Sequence, residues 1–161
     1  MAKDILAEAV QHHEAGNLKK AERLYKNVLK ADPRNSVALN LLGVLNYQGG
    51  RHSKAIQLLS KAVAISPDYA SAHFNLGNVY KYRGKLAEAE AAFARVVALN
   101  PRDAGAHGNL GIVLQEQGRF GDAVGAFEKA IAIEPNNPEA QFNLANVLLF
   151  LGQQDAAREA F

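Results

Sequence analysis

Three asparagines, Asn75, Asn109 and Asn143, recur at intervals of 34 residues, each inside a stretch patterned as a helix. Asparagine is a poor interior helix former because its side chain competes for nearby backbone groups, so a column of three needs a reason. Each carboxamide offers one acceptor and two donors, the equipment to hold a peptide's C=O and N–H whatever its side chains. Other residues capable of chemistry are less promising. His73 and His107 also recur at 34 residues, but the helical wheel puts them on a packed stripe. Repeats about 10 Å apart cannot bring both to one metal at ~2.1 Å. The adjacent His12 and His13 point in different directions on a helix. RGKLAEAEAAF lacks the glycine order and Lys-Ser/Thr pair that cradle phosphate, and no nucleophile has an evident base partner. We therefore expect no metal, no cofactor and no catalytic site.

Composition sets the frame for these residues. The chain has 161 residues, 48% hydrophobic and 21% charged, within the range of an ordinary globular protein. Its net charge of +2 gives no electrostatic case for nucleic acid or membrane as the main partner. The charge is graded along the chain. Residues 2–103 carry 15 basic and nine acidic side chains, whereas 104–161 carry three and seven. The absence of cysteine removes disulfides, thiol catalysis and Cys-based metal sites. MAKDILAEAV has acids at Asp4 and Glu8 and no apolar core, so it does not read as a signal peptide, and NVLLFLG is too short to span a bilayer. A cytoplasmic protein is expected.

The interval of 34 residues organises the whole chain. It separates Pro33, Pro67, Pro101 and Pro135, then Gly16, Gly50, Gly84, Gly118 and Gly152, then Ala21, Ala55, Ala89, Ala123 and Ala157. A further column holds Tyr25, Leu59, Phe93, Phe127 and Phe161. Glycine between two helical patterns supplies the left-handed residue that ends the first helix. Alanine and the large apolar residue four positions later share one face of the second helix and set a helix–helix contact. Proline then forces a turn, and Asn35, Asp103 or Asn137 caps the next helix, the last with Pro138 at its first position. First helices are predicted near 2–15, 36–49, 70–83, 104–117 and 138–151. Second helices are predicted near 18–31, 52–65, 86–99 and 120–133, with a last one starting near 154.

His73, Leu76, Gly77, Tyr80, Ala89, Phe93 and Pro101, and again His107, Leu110, Gly111, Leu114, Ala123, Phe127 and Pro135, resemble the tetratricopeptide repeat pattern, with His in place of Trp. The resemblance covers the entire chain. It implies an all-α solenoid, a right-handed superhelix of five repeats at 2–35, 36–69, 70–103, 104–137 and a partial 138–161, forming one domain over 1–161. The first repeat, with Ile5, Glu8, Ala9 and His12 at the pattern positions, is the atypical one expected of a cap. The fifth stops at Phe161, two turns into its second helix, which suggests an excised fragment or an open end that packs on a neighbour.

In such arrays the first helices line the concave face. The stripes opposite the packed side read Val37, Leu41, Val44 and Gln48; Ser71, Asn75, Asn78 and Tyr82; Gly105, Asn109, Ile112 and Glu116; and Glu139, Asn143, Asn146 and Phe150. Repeats recurring at roughly 10 Å meet every third residue of a peptide advancing about 3.3 Å per residue. The column resembles the asparagine ladder of O-linked N-acetylglucosamine transferases. It does not resemble the carboxylate clamp of chaperone-binding members, because the stripes of repeats two to five hold no basic residue and Lys81 lies only near their edge. The resemblance implies an interaction module for an extended peptide or partner helix. Asn75, Asn109 and Asn143 would be its main contacts, Asn78, Tyr82, Glu116 and Asn146 would supplement them, and Leu41, Val44 and Ile112 would give apolar contacts. Three alternatives accompany it: asparagines that bond repeat to repeat without touching a ligand; a recognition arm of a glycosyltransferase- or sulfotransferase-type enzyme; and self-association through the open C-terminal end, favoured by the charge gradient.

Overall fold

The computed structural model describes residues 2–159, with the backbone alone for 2, 3, 158 and 159. Phe161, the last member of the large apolar column, lies outside the described residues. The chain divides into two compact units, Met1–Val79 and Tyr80–Phe161. The first holds α1 (Ala2–Glu14), α2 (Leu18–Ala31), α3 (Ser36–Gln48) and α4 (His52–Ile65). The boundary falls inside α5 (Ala70–Tyr82). The second unit continues with α6 (Leu86–Leu99), α7 (Ala104–Glu116), α8 (Phe120–Ile133), α9 (Pro138–Phe150) and α10 (Gln154–Glu159). No strand occurs among the described residues.

The helix ends follow from the punctuating residues. Each first helix stops one residue sooner than its sequence pattern suggests, because the capping turn begins before the glycine. At the end of α7, Gly118 takes φ +77° while its N–H reaches Gln115 O, and Arg119 N–H returns to Leu114 O at 2.9 Å. A non-glycine residue would be strained at that φ. Starts are set by side chains. Asn35 Oδ1 accepts from Ala38 N–H at 2.9 Å, Asp103 Oδ1 from Ala106 N–H at 2.8 Å, and Asn137 Oδ1 from Ala140 N–H at 3.0 Å. Each satisfies an N–H that the helix itself cannot pair.

The cores lie between the paired helices. Ala21, Ala55, Ala89 and Ala123 are fully buried, as are Tyr25, Leu59, Phe93 and Phe127. Burial pushes the Tyr25 phenol up to about 12, with the Glu14 charge adding to the effect. The first helices yield to these side chains at glycine. A Cβ on Gly111 would lie 2.6 Å from Phe127 Cε1, and one on Gly43 would lie 2.7 Å from Leu59 Cγ. The small residue of the Leu-Gly pair is thus required by the large residue of the facing helix, which lets the two backbones approach.

Successive repeats are also tied by charge. In the first unit Arg51 pairs with Glu22 at 2.9 Å and donates from Nε to the buried Asn46 at 2.8 Å. In the second, Arg119 pairs with Glu90 and with Asp122, both at 2.7 Å. The hydrogen bond from Lys26 holds the Glu22 carboxyl below its ordinary value, and those from Arg119 and then Gln117 do the same for Glu90.

The outer face of α1 differs from the equivalent faces of later first helices. Ala38 and Leu45, Ala72 and Val79, Ala106 and Val113, and Ala140 and Val147 are all buried. In α1 the corresponding positions are Asp4 and Gln11, both exposed.

Candidate functional site: the outward stripes of the first helices

The stripes inferred from the helical wheel lie on the solvent side of their helices, but their asparagines are used in different ways. In the first unit Asn75 donates from Nδ2 to Asn40 Oδ1 at 2.9 Å, and Asn40 donates in turn to Tyr69 Oη at 3.2 Å. Asn40 is only 4% exposed. A lone carboxamide buried there would be costly, so this chain links α3 to α5 and to the turn before it. Leu41 packs half-buried against the apolar core, Val44 is half-buried, and Val37 is exposed. Gln48 accepts from His13 Nε2 at 2.8 Å, while His13 Nδ1 meets the Tyr25 hydroxyl at 3.2 Å. Asn78 is half-buried.

The second unit carries a shallow, open depression of about 50 Å³ between α7 and α9. Gly105 and Gly108 lie along it, Asn109 and Ile112 stand on the α7 side, and Asn143 and Glu139 on the α9 side. Gly108 has open space where a Cβ would project. Asn109 gives one N–H to the Gly105 carbonyl at 2.9 Å and accepts from the Lys81 ammonium at its Oδ1. The Asn143 carboxamide makes no hydrogen bond to any described residue and keeps its full complement of donors and acceptor. Ile112 packs half-buried against the core around Leu114 and Phe127. Glu116 is exposed and Asn146 half-buried, whereas Tyr82 and Phe150 are 65% and 70% exposed, Phe150 lying 4.3 Å from the Phe120 ring.

Two contributors escaped the column analysis. Asn40 shares its column with Phe74, Gly108 and Phe142, so no recurrence marks it, although an asparagine in the middle of LNLL carries the same local signal as the others. Lys81, at the edge of its stripe, reaches Asn109 on the following first helix. The histidines of the packed stripe have a structural task. His73 Nε2 meets the Pro67 carbonyl at 2.9 Å, His107 Nε2 the Pro101 carbonyl at 3.0 Å, and Gln141 Nε2 donates to the Pro135 carbonyl at 2.8 Å. One column of side chains therefore fastens the proline turn before each of these helices.

Comparison with known proteins agrees with this architecture. The tetratricopeptide repeat family matches residues 12–61, 74–138 and 126–159, and a TPR repeat family matches 45–82. A crystal structure of MamA is similar at 32% identity and a TM-score of 0.90, over 95% of this chain and 90% of that one. MamA 41-end from Desulfovibrio magneticus RS-1 is similar in fold at 21% identity and a TM-score of 0.91, over 99% and 90%. So is YrrB, described as a TPR protein with an unusual peptide-binding site, at 20% identity and a TM-score of 0.86, over 99% and 82%. No match was found among curated protein sequences. The chain belongs to the tetratricopeptide repeat family and is an all-α protein-interaction module. No helix among the described residues is long and apolar enough to cross a membrane.

Proposed function

We propose that the depression of the second unit holds an extended segment of a protein partner chiefly by its backbone. The observation that carries this reading is the contrast between its two carboxamides. Asn109 is oriented by Gly105, and Asn143 across from it is unengaged, with two glycines leaving room between them for a main chain. Glycine at a ligand-facing position permits close backbone approach, and a free carboxamide can pair with both C=O and N–H. Ile112 offers an apolar patch beside them and Glu139 lines the polar side, while Glu116 and Asn146 lie further along the same stripes. YrrB, with the peptide-binding site its description records, is a precedent on the same fold. The role is binding rather than catalysis, and the cytoplasm is the proposed setting.

A peptide-array screen followed by titration tests it. Asn143→Ala is expected to weaken retained peptides at least about five-fold, the worth of a typical hydrogen bond, without altering the melting curve. Unchanged affinity would remove the groove reading. For Asn75 the bond to Asn40 favours the scaffolding role instead.

A further inference from the structure

We infer that Lys81 and Asn109 form a subsite for the side-chain carboxylate of an acidic residue in the bound segment; this rests on the peptide-groove reading above. Among the described residues, Lys81 differs both from the ion-paired cations and from exposed, unpaired ones such as Lys54, Lys61 and Lys129. Lys20 meets Glu8 at 3.2 Å, Lys26 meets Glu22 at 2.7 Å, Lys85 meets Glu88 at 3.3 Å, and Arg51 and Arg119 have the carboxylates already described. Lys81 is half-buried and, among the described residues, its ammonium is matched only by the neutral Oδ1 of Asn109.

That match is also preset. The hydrogen bond from Asn109 Nδ2 to the Gly105 carbonyl fixes which end of the carboxamide faces Lys81, and leaves its second N–H free. An arriving carboxylate would find two remaining ammonium N–H groups on Lys81 and one amide N–H on Asn109. Charge-assisted bonds of this type are about twice as strong as neutral ones. Glu139 lines the depression on the α9 side and would repel an acid there, which favours the Lys81 side for it. One ammonium and no guanidinium suit a single carboxylate. The open floor at Gly105 and Gly108 lets the chain run past, which fits an internal Asp or Glu better than a terminus.

The test uses the full chain on an array of N-acetylated, C-amidated nonapeptides carrying Asp, Glu, Asn or Gln at each position, beside a set without acidic residues that ends in a free carboxylate. Acidic peptides should be retained about ten-fold better than their amide counterparts, in proportion to a charge-assisted bond. Lys81→Met should abolish that preference while neutral peptides bind as before. Asn109→Asp, which supplies Lys81 with an internal carboxylate, should abolish it too, and melting curves of both variants should stay close to that of the parent. Retention of neutral peptides with no acidic preference, or a preference that survives Lys81→Met, overturns the subsite and leaves the groove standing. A preference confined to the free-carboxylate set overturns the side-chain assignment. Retention of no peptide by the parent protein overturns the groove reading and the subsite with it.

Discussion

Asn75 gives an amide hydrogen to Asn40 Oδ1 across 2.9 Å, joining the first helices of two successive repeats. Asn40 is almost fully buried and passes the connection to Tyr69, so losing either partner strands a polar group. The carboxamide of Asn143 has no such obligation, though it occupies the equivalent position two repeats later.

Members of one column should therefore respond differently to the same change. Asn40→Ala is expected to cost about 1–3 kcal/mol by leaving the Asn75 and Tyr69 groups unpaired, and Asn75→Ala somewhat less because that side chain is half exposed. Asn143→Ala should lie within about 0.5 kcal/mol of the parent. Urea unfolding of the three variants separates these outcomes. Equal stability losses would show that the column has one structural role throughout.

Gly111 has no room for a methyl group unless the Phe127 ring moves. Alanine there should gain up to about 1 kcal/mol of helix propensity but force a Cβ into the Phe127 ring, an overpacking that costs about 1–3 kcal/mol. Net destabilisation is expected for Gly111→Ala. It should shrink when Phe127→Leu is combined with it, and a double-mutant cycle measures the coupling.

The proline-turn column can be probed by exchange. His107→Gln should be tolerated, because Gln141 makes the same bond one repeat later, whereas His107→Leu leaves the Pro101 carbonyl without its partner and should cost about 1–3 kcal/mol. Thermal melts of the pair decide it. Equal losses would mean that ring packing matters and the carbonyl bond does not.

Acid should weaken the fold partly through Glu22 and Glu90. Both carboxyls sit below the ordinary value of 4.5, Glu22 through Lys26 and Glu90 through Arg119 and then Gln117. The unfolded chain therefore binds protons first as pH drops. The stabilisation is complete above the ordinary value and is lost as pH falls through the lowered folded values. In Glu90→Gln the decline of melting temperature below pH 5 should be shallower than in the parent. An identical pH profile would remove this ion pair from the account.

Periodicity exposed the architecture because every repeat spends glycine, alanine, a large apolar residue and proline at the same places. The glycines between helices needed a left-handed backbone, and Gly118 shows why no other residue serves there. The asparagine stripes were legible as outward-facing for the same reason, since a helical wheel fixes direction. It does not fix occupancy. Whether a carboxamide is free depends on what the neighbouring repeat presents, and that neighbour is a non-recurring residue: Asn40 beside Asn75, Lys81 beside Asn109. The column of His73, His107 and Gln141 was hidden differently. Histidine and glutamine look unlike each other as letters yet place a donor at the same reach from the helix, so chemical equivalence replaced identity.

The polar face of α1 gives the chain a direction. Asp4 and Gln11 stand where α3, α7 and α9 bury small or branched hydrocarbon, so water wets that surface at little expense and another helix laid upon it would have to dehydrate a carboxylate. An identical copy approaching this face would therefore meet a cost that the equivalent faces of the later first helices do not impose.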